Sequence, residues 1–169
     1  YEFEKIVHLD ATPVLSQGNS CTCWSFSGMS FFESELLRMG KDEIILSEMF
    51  IVRKAYEKKA EMYVRLDGKT NFGQGGEFHD IPAVIEEFGV VPQEAYDGLN
   101  YGSERHNHSE MYKVLKGAMN GVIQQMNSNG FNGLTSAWKN AISGILDAYL
   151  GQDVESFKFD GKEYTPKEF

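Results

Sequence analysis

The chain has 169 residues, a formal net charge of −9 and a sequence pI of about 4.9. A hydrophobic share of 41% and an aromatic share of 13% are enough for one domain with a sizeable core, and exclude a disordered tail or a disulfide-stapled miniprotein. The acidic balance argues against nucleic acid or an anionic membrane as the main partner, and the apolar runs are too short for a membrane-spanning helix.

In chain order, "YEFEKIVHLD" has neither a basic-then-apolar signal pattern nor an initiator Met, so the chain reads as a processed or trimmed form. Residues 1–22, with Pro13 and Gly18, read as an extended lead-in. Residues 23–39 carry Trp24, Phe26, Phe31, Phe32, Leu36, Leu37 and Met39 ahead of Gly40. This is helical recurrence with a glycine stop, and its wide apolar face predicts burial on most sides. A second helix is expected from Ser47, a fair N-cap, to Leu66, with "RKAYEKKAE" as an exposed charged face. "DGKTNFGQGGEF" reads as a loop by its glycines. "HDIPAVIEEF", residues 79–88, reads as a short helix ended by Gly89, and "VVPQEAY" as extended. Residues 97–108 form a polar loop with "RHNH" in solvent. Two further helices are expected at about 109–126 and 134–150, separated by "NSNGFNG". "ESFKFDGKEYTPKEF" alternates around Asp160-Gly161 and reads as a β-hairpin. The expected fold class is α+β, without an internal repeat or a compositional domain boundary.

The chemistry concentrates in "SQGNSCTCWSFSGMSFFESELL", residues 16–37. It holds both cysteines of the chain, Cys21 and Cys23. A disulfide between residues two apart needs a strained ring. A metal site needs three or four ligands at workable spacing, and His79, His106 and His108 come without a second cysteine pair. No metal and no cofactor is therefore expected. Two small buried apolar groups remain one reading, since a free thiol packs like a hydrophobe. A nucleophile is the other. A thiol in the first turn of a helix lies near unpaired N–H groups and the positive end of the dipole, which favours thiolate, and Cys23 occupies such a place. Carbonyl attack also needs donors for the oxyanion. The Cys23 amide supplies one, and Gln17 supplies another if the loop folds back at Gly18. Trp24 can wall off the site.

These residues carry a resemblance. "TPVLSQGNSCTCWSFS" is similar to the nucleophile segment of papain-like cysteine peptidases (clan CA), with Gln and Cys six apart. "LSEMFIV" resembles the leucine-serine-glutamate opening of that family's next helix. "FGQGGEFHDIPAVIEEFGVVPQEAY" resembles its Gly-Gly loop, short helix and tyrosine-bearing strand. "SFFESELLRMGK" and "GKTNFGQGG" point to the bacterial members of the bleomycin hydrolase/aminopeptidase C branch. The resemblance covers about residues 11–96. It implies a papain-like fold, here mainly the helical lobe over 1–169, with a long central helix starting at the nucleophile, a helical insertion at about 101–150 and a short C-terminal hairpin. It implies a cysteine peptidase, amino- or endopeptidase, working through a thioester. Cys23 would be the nucleophile, Gln17 with the Cys23 amide the oxyanion hole, and Gly75, Gly76 and Trp24 the substrate-binding residues.

Two departures stand out. A papain disulfide joins a cysteine three residues before the nucleophile to one in the Gly-rich loop; Ser20 and Gly73 occupy those places here. Cys21 stands where the family has glycine, and a side chain there is strained by ~1–2 kcal/mol if φ is positive. The catalytic His of the family follows the Cys by about 130–150 residues, and further with insertions, but the last histidine here is His108. His8, His79, His106 and His108 all lack the expected setting. The chain is therefore expected to be part of a composite site, with the β-rich lobe that carries His and Asn on a second chain or a removed segment. Its expected partners are peptides, that lobe and further copies of itself. The alternative is a non-catalytic fragment or pseudoenzyme that binds peptides or its partner lobe.

Overall fold

Residues 48–56 are all buried, far more than one helix face can hide. They open α2 (Glu48–Arg65), the element on which the other helices rest: α1 (Cys23–Arg38), α3 (Asp80–Phe88), α4 (Ser109–Met126) and α5 (Ala137–Leu150) all pack against it. β1 (Phe157–Phe159) and β2 (Lys162–Tyr164) follow as one antiparallel pair. The computed structural model describes residues 1–128, 130 and 133–169. The described chain is mostly helical with one two-stranded sheet, an α+β arrangement.

Local chemistry explains most boundaries. Ser47 caps α2, its Oγ accepting from the Phe50 amide at 3.0 Å, as an N-cap serine does. Gly40 and Gly89 follow α1 and α3 with φ of +75° and +85°, which lets the backbone leave the helix in the left-handed region. Asp160 and Gly161, at φ 48° and 76°, make the tight turn between β1 and β2, as Asp-Gly predicts. Phe169 folds back onto Phe157, Phe159 and Tyr164.

Several expectations change. α1 is not buried on most sides: Trp24, Ser25, Gly28, Met29 and Glu33 form one buried stripe, while Phe31 is 51% exposed. Residues 134–136 precede α5, which starts at Ala137. "VVPQEAY" is extended at Pro92, which bridges Leu46, and again at Tyr96, but Gln93–Ala95 between them forms a 3-10 turn. The expected loop "NSNGFNG" includes residues 129, 131 and 132, outside the described residues. "RHNH" is only half solvated: Arg105 and Asn107 are exposed, but His106 and His108 are 7% and 0% exposed.

The largest change concerns "RKAYEKKAE". Arg53 is fully buried and Lys54 nearly so. The Arg53 guanidinium donates to Asp147 Oδ1 at 2.7 Å, Gly151 O at 2.7 Å and Ser143 Oγ at 3.1 Å. Lys54 Nζ donates to Asp153. Helical spacing alone marked these as surface cations, but α5 and the turn after it supply acceptors that make burial tolerable. Asp147→Ala is expected to lower stability by about 2–3 kcal/mol, because it strips a buried cation of its best partner. Lys58→Ala breaks an exposed pair with Glu87 and a peripheral contact with the Phe88 ring, and is expected to stay within about 0.5 kcal/mol. Urea midpoints of the two variants measure the difference, and equal effects would refute the network's role.

Candidate functional site

The segment from Gln17 to Cys23 is a loop held at both ends. The Gln17 carbonyl accepts from the Ser20 amide at 3.2 Å and from Ser20 Oγ at 2.8 Å. Between them Gly18 has φ +57°. A β-carbon there would lie 2.5 Å from the His106 carbonyl oxygen, so position 18 needs glycine on both counts. Asn19 donates to His106 O at 2.7 Å and accepts from the His108 amide at 3.3 Å. The loop is thus paired with residues 106–108 in a short parallel bridge between Asn19 and Asn107.

Past the bridge, Ser20 and Thr22 are buried and their hydroxyls lie 2.5 Å apart. Cys21 has φ 56°, so the conditional strain at this position is present. Thr22 caps α1 with its carbonyl, which accepts from Ser25 and Phe26 amides. Cys23 opens α1 with its thiol exposed. Among the described residues nothing accepts from the amides of Cys23 and Trp24, so these N–H groups remain available at the helix start. Both cysteines are free and exposed, which removes the reading of a buried apolar pair. Gln17 is half-buried, and its side-chain oxygen is enclosed without a hydrogen-bond partner among the described residues.

The Gly-rich loop comes to the same helix start. Trp24 Nε1 donates to Gln74 O at 3.0 Å. Gly76 lies flat on the indole, where an added β-carbon would sit 2.7 Å from the ring. Gly75 faces open space. Lys59 Nζ donates to Gly75 O at 2.5 Å and lies over the Trp24 ring at 5.3 Å; burial holds its ammonium below the ordinary lysine range, against the pull of Asp80. Asp80 accepts from the Glu77 amide at 2.9 Å. Trp24 is 7% exposed, so it holds the glycines in place rather than presenting an open wall. Sequence reasoning missed Lys59, which sat within the expected charged face with no local sign of its partner.

The histidines do not complete a catalytic pair with Cys23 among the described residues. His8 is exposed in the lead-in. His79 stands at the start of α3 with 80% side-chain exposure, 3.7 Å from Asp80. His106 packs edge-on to Phe26, and His108 against His106 and Tyr56. Neither ring nitrogen of His108 has a partner among the described residues. Burial pushes His108 down to about 4, with the neighbouring His106 adding to the effect. Glu48 moves oppositely: burial raises it to about 7. Among the described residues no group of three or more His, Cys, Asp or Glu is placed to hold a metal ion, and no helix is long and apolar enough to cross a membrane.

The chain is similar in structure to PepW from Lactobacillus rhamnosis HN001 (DR20), known from a crystal structure, with a TM-score of 0.73 and 18% sequence identity. The match covers 96% of this chain and 44% of PepW, so the chain spans less than half the length of that protein while sharing its fold over nearly all of its own. No protein-family model and no curated protein matches the sequence.

The buried His108 sets an acid limit. Its folded pKa of about 4 lies below the ordinary 6.5, so its contribution is complete above pH 6.5 and is lost as pH falls toward 4. The loss amounts to up to about 3 kcal/mol. Glu48 contributes with the opposite sign, complete below pH 4.5 and lost as pH rises through 7. His108→Leu is expected to flatten the acid limb of stability between pH 6.5 and 4 in urea melts. An unchanged limb would refute the assignment.

Proposed function

We propose that the chain is the nucleophile-bearing helical part of a papain-like cysteine peptidase of the bleomycin hydrolase/aminopeptidase C kind. The observation that carries this reading is the pinned loop from Gln17 to Cys23, which delivers an exposed thiol and free amides to the start of α1. The fold shared with PepW supports it. In this reading Cys23 Sγ attacks the scissile carbonyl. The Cys23 amide and the Gln17 side-chain amide donate to the oxyanion, so both stabilise charge that exists only as the bond breaks. The amine leaves with a proton from an imidazole outside these 169 residues, and water hydrolyses the thioester. Gly75 offers open backbone to an extended peptide, Gly76 lets Trp24 pack beneath that loop, and Lys59 fixes the Gly75 carbonyl.

The exposed apolar surface fits a composite molecule. Phe31 and Phe32 of α1 cluster with Phe78 from the segment before α3, with Phe31 and Phe78 half exposed, and Tyr1, Phe3, Ile6 and Val14 stand in solvent. Such a surface favours association, and we assign it to the β-rich lobe that would bring His and Asn. A second reading, a non-catalytic module that binds peptides or that lobe, is favoured by the lack of an imidazole paired with Cys23 among the described residues.

A peptidyl epoxide separates the two readings. With the β-rich polypeptide present, Cys23 is expected to be alkylated faster than Cys21. Cys23→Ala should abolish peptide hydrolysis, and Gln17→Ala should lower kcat about 10²–10³-fold with little change in stability. Full activity in Cys23→Ala would overturn the enzyme reading. By itself the 169-residue chain is expected to self-associate and to hydrolyse no peptide, whereas a monodisperse, active monomer in sedimentation and peptidase assays would overturn the composite site.

A further inference from the structure

Cys21 has no structural reason to be a cysteine. Its φ of 56° costs a β-carbon ~1–2 kcal/mol relative to glycine. Its side chain is exposed, so no packing offsets that cost, and it forms no hydrogen bond among the described residues. Strain without local compensation points to a function for the side chain that causes it.

The geometry around it is ordered. Thr22 is fully buried between two exposed thiols. Its hydroxyl meets Ser20 Oγ, and its carbonyl receives the Ser25 and Phe26 amides. The Asn19 bridge fixes the chain on one side and α1 fixes it on the other. The backbone is held, and the two exposed cysteines flank one buried residue. Thr22 has φ −114° and ψ 29°, a bend rather than an extended conformation. With trans peptides this brings the two Cα atoms to about 5.5–6 Å, inside the range that a disulfide bridges. The short ring is strained, and strained, exposed disulfides are the readily reduced kind.

We propose that Cys21 and Cys23 form a reversible redox pair in which Cys21 captures a hydroperoxide-oxidised Cys23 as an intramolecular disulfide. In the first step the Cys23 thiolate attacks the outer oxygen of a hydroperoxide. An S–O bond forms and the O–O bond breaks; sulfur loses two electrons and the peroxide leaves as alcohol or water. In the second step Cys21 sulfur attacks the Cys23 sulfenic sulfur. The S–S bond forms, the S–O bond breaks, and the hydroxide leaves with the Cys21 proton as water. A dithiol, or two molecules of glutathione, returns two electrons and two protons to reopen the pair and leaves as its own disulfide. Closure stops Cys23 short of the sulfinic acid, which does not readily revert. That closure would also silence peptide hydrolysis rests on the nucleophile reading above; the disulfide itself does not.

The test treats the 169-residue chain with hydrogen peroxide under native conditions and follows intact mass and free thiol. The expected product is a single chain, not crosslinked to another, that has lost two hydrogens and both titratable thiols, and dithiothreitol restores them. Cys21→Gly removes the partner thiol at a position whose φ glycine tolerates, so it keeps the fold by circular dichroism. It is expected to gain one and then two oxygens, at least about tenfold faster than the wild type gains them. Equal over-oxidation of the two proteins, or disulfides found only between chains, would overturn the proposal. Cys23→Ala, assayed for hydrolysis with the β-rich polypeptide present, separates the two claims: closure in the wild type together with full hydrolysis by that variant keeps the redox pair and removes the nucleophile, while no closure together with an inactive variant beside an active wild type does the reverse.

Discussion

Arg53 lies at 0% exposure in the middle of α2, its guanidinium divided between Asp147, Ser143 and the Gly151 carbonyl. A cation in that position is tolerable only with acceptors and counter-charges around it: the two terminal nitrogens are hydrogen-bonded, and Nε, without a hydrogen bond among the described residues, lies 3.5 Å from Glu57 and 3.6 Å from Asp153, so α5 and the turn after it must close over α2. Lys54 repeats the arrangement with Asp153. The pairs hold the C-terminal half of the chain against the helix on which α1 and α3 also rest. The apolar cluster of Met49, Ile51, Leu115, Met119 and Leu146 fills the space that this closure creates.

The same framework positions the cysteines. α2 receives α1 through Ser25, whose hydroxyl donates to the Glu48 carbonyl at 2.9 Å. Glu33 binds the Leu46 amide at 2.7 Å and the Thr12 hydroxyl, tying the lead-in to both helices. Residues 106–108 then clamp the loop before Cys23 from the far side. His106 and His108 serve that clamp by filling space against Phe26 and Tyr56. Their burial without charge follows from desolvation, and makes them poor proton carriers at neutral pH. A pinned loop is what an oxyanion site needs, since donors that must reorganise contribute little. It also keeps two thiols close, so one constraint serves both the proposed nucleophile and the proposed redox pair.

The sequence by itself determined the local elements. Ser47, Gly40, Gly89 and Asp160-Gly161 fixed the ends of helices and the hairpin turn because caps and left-handed residues act within a few residues of themselves. It also placed Cys23 at a helix start, and it set the condition on Cys21 that the backbone then met. Tertiary structure alone decided which charges are buried and what each site residue touches. Arg53 and Gly151 are 98 residues apart, Trp24 and Gln74 are 50, and Lys59 and Gly75 are 16. Periodicity reports which face of a helix is polar, but a polar face is buried whenever distant acceptors cover it. Lys59 and the histidines of "RHNH" therefore read as solvent residues along the chain and became structural ones only when α2, the Gly-rich loop and the 106–108 segment met.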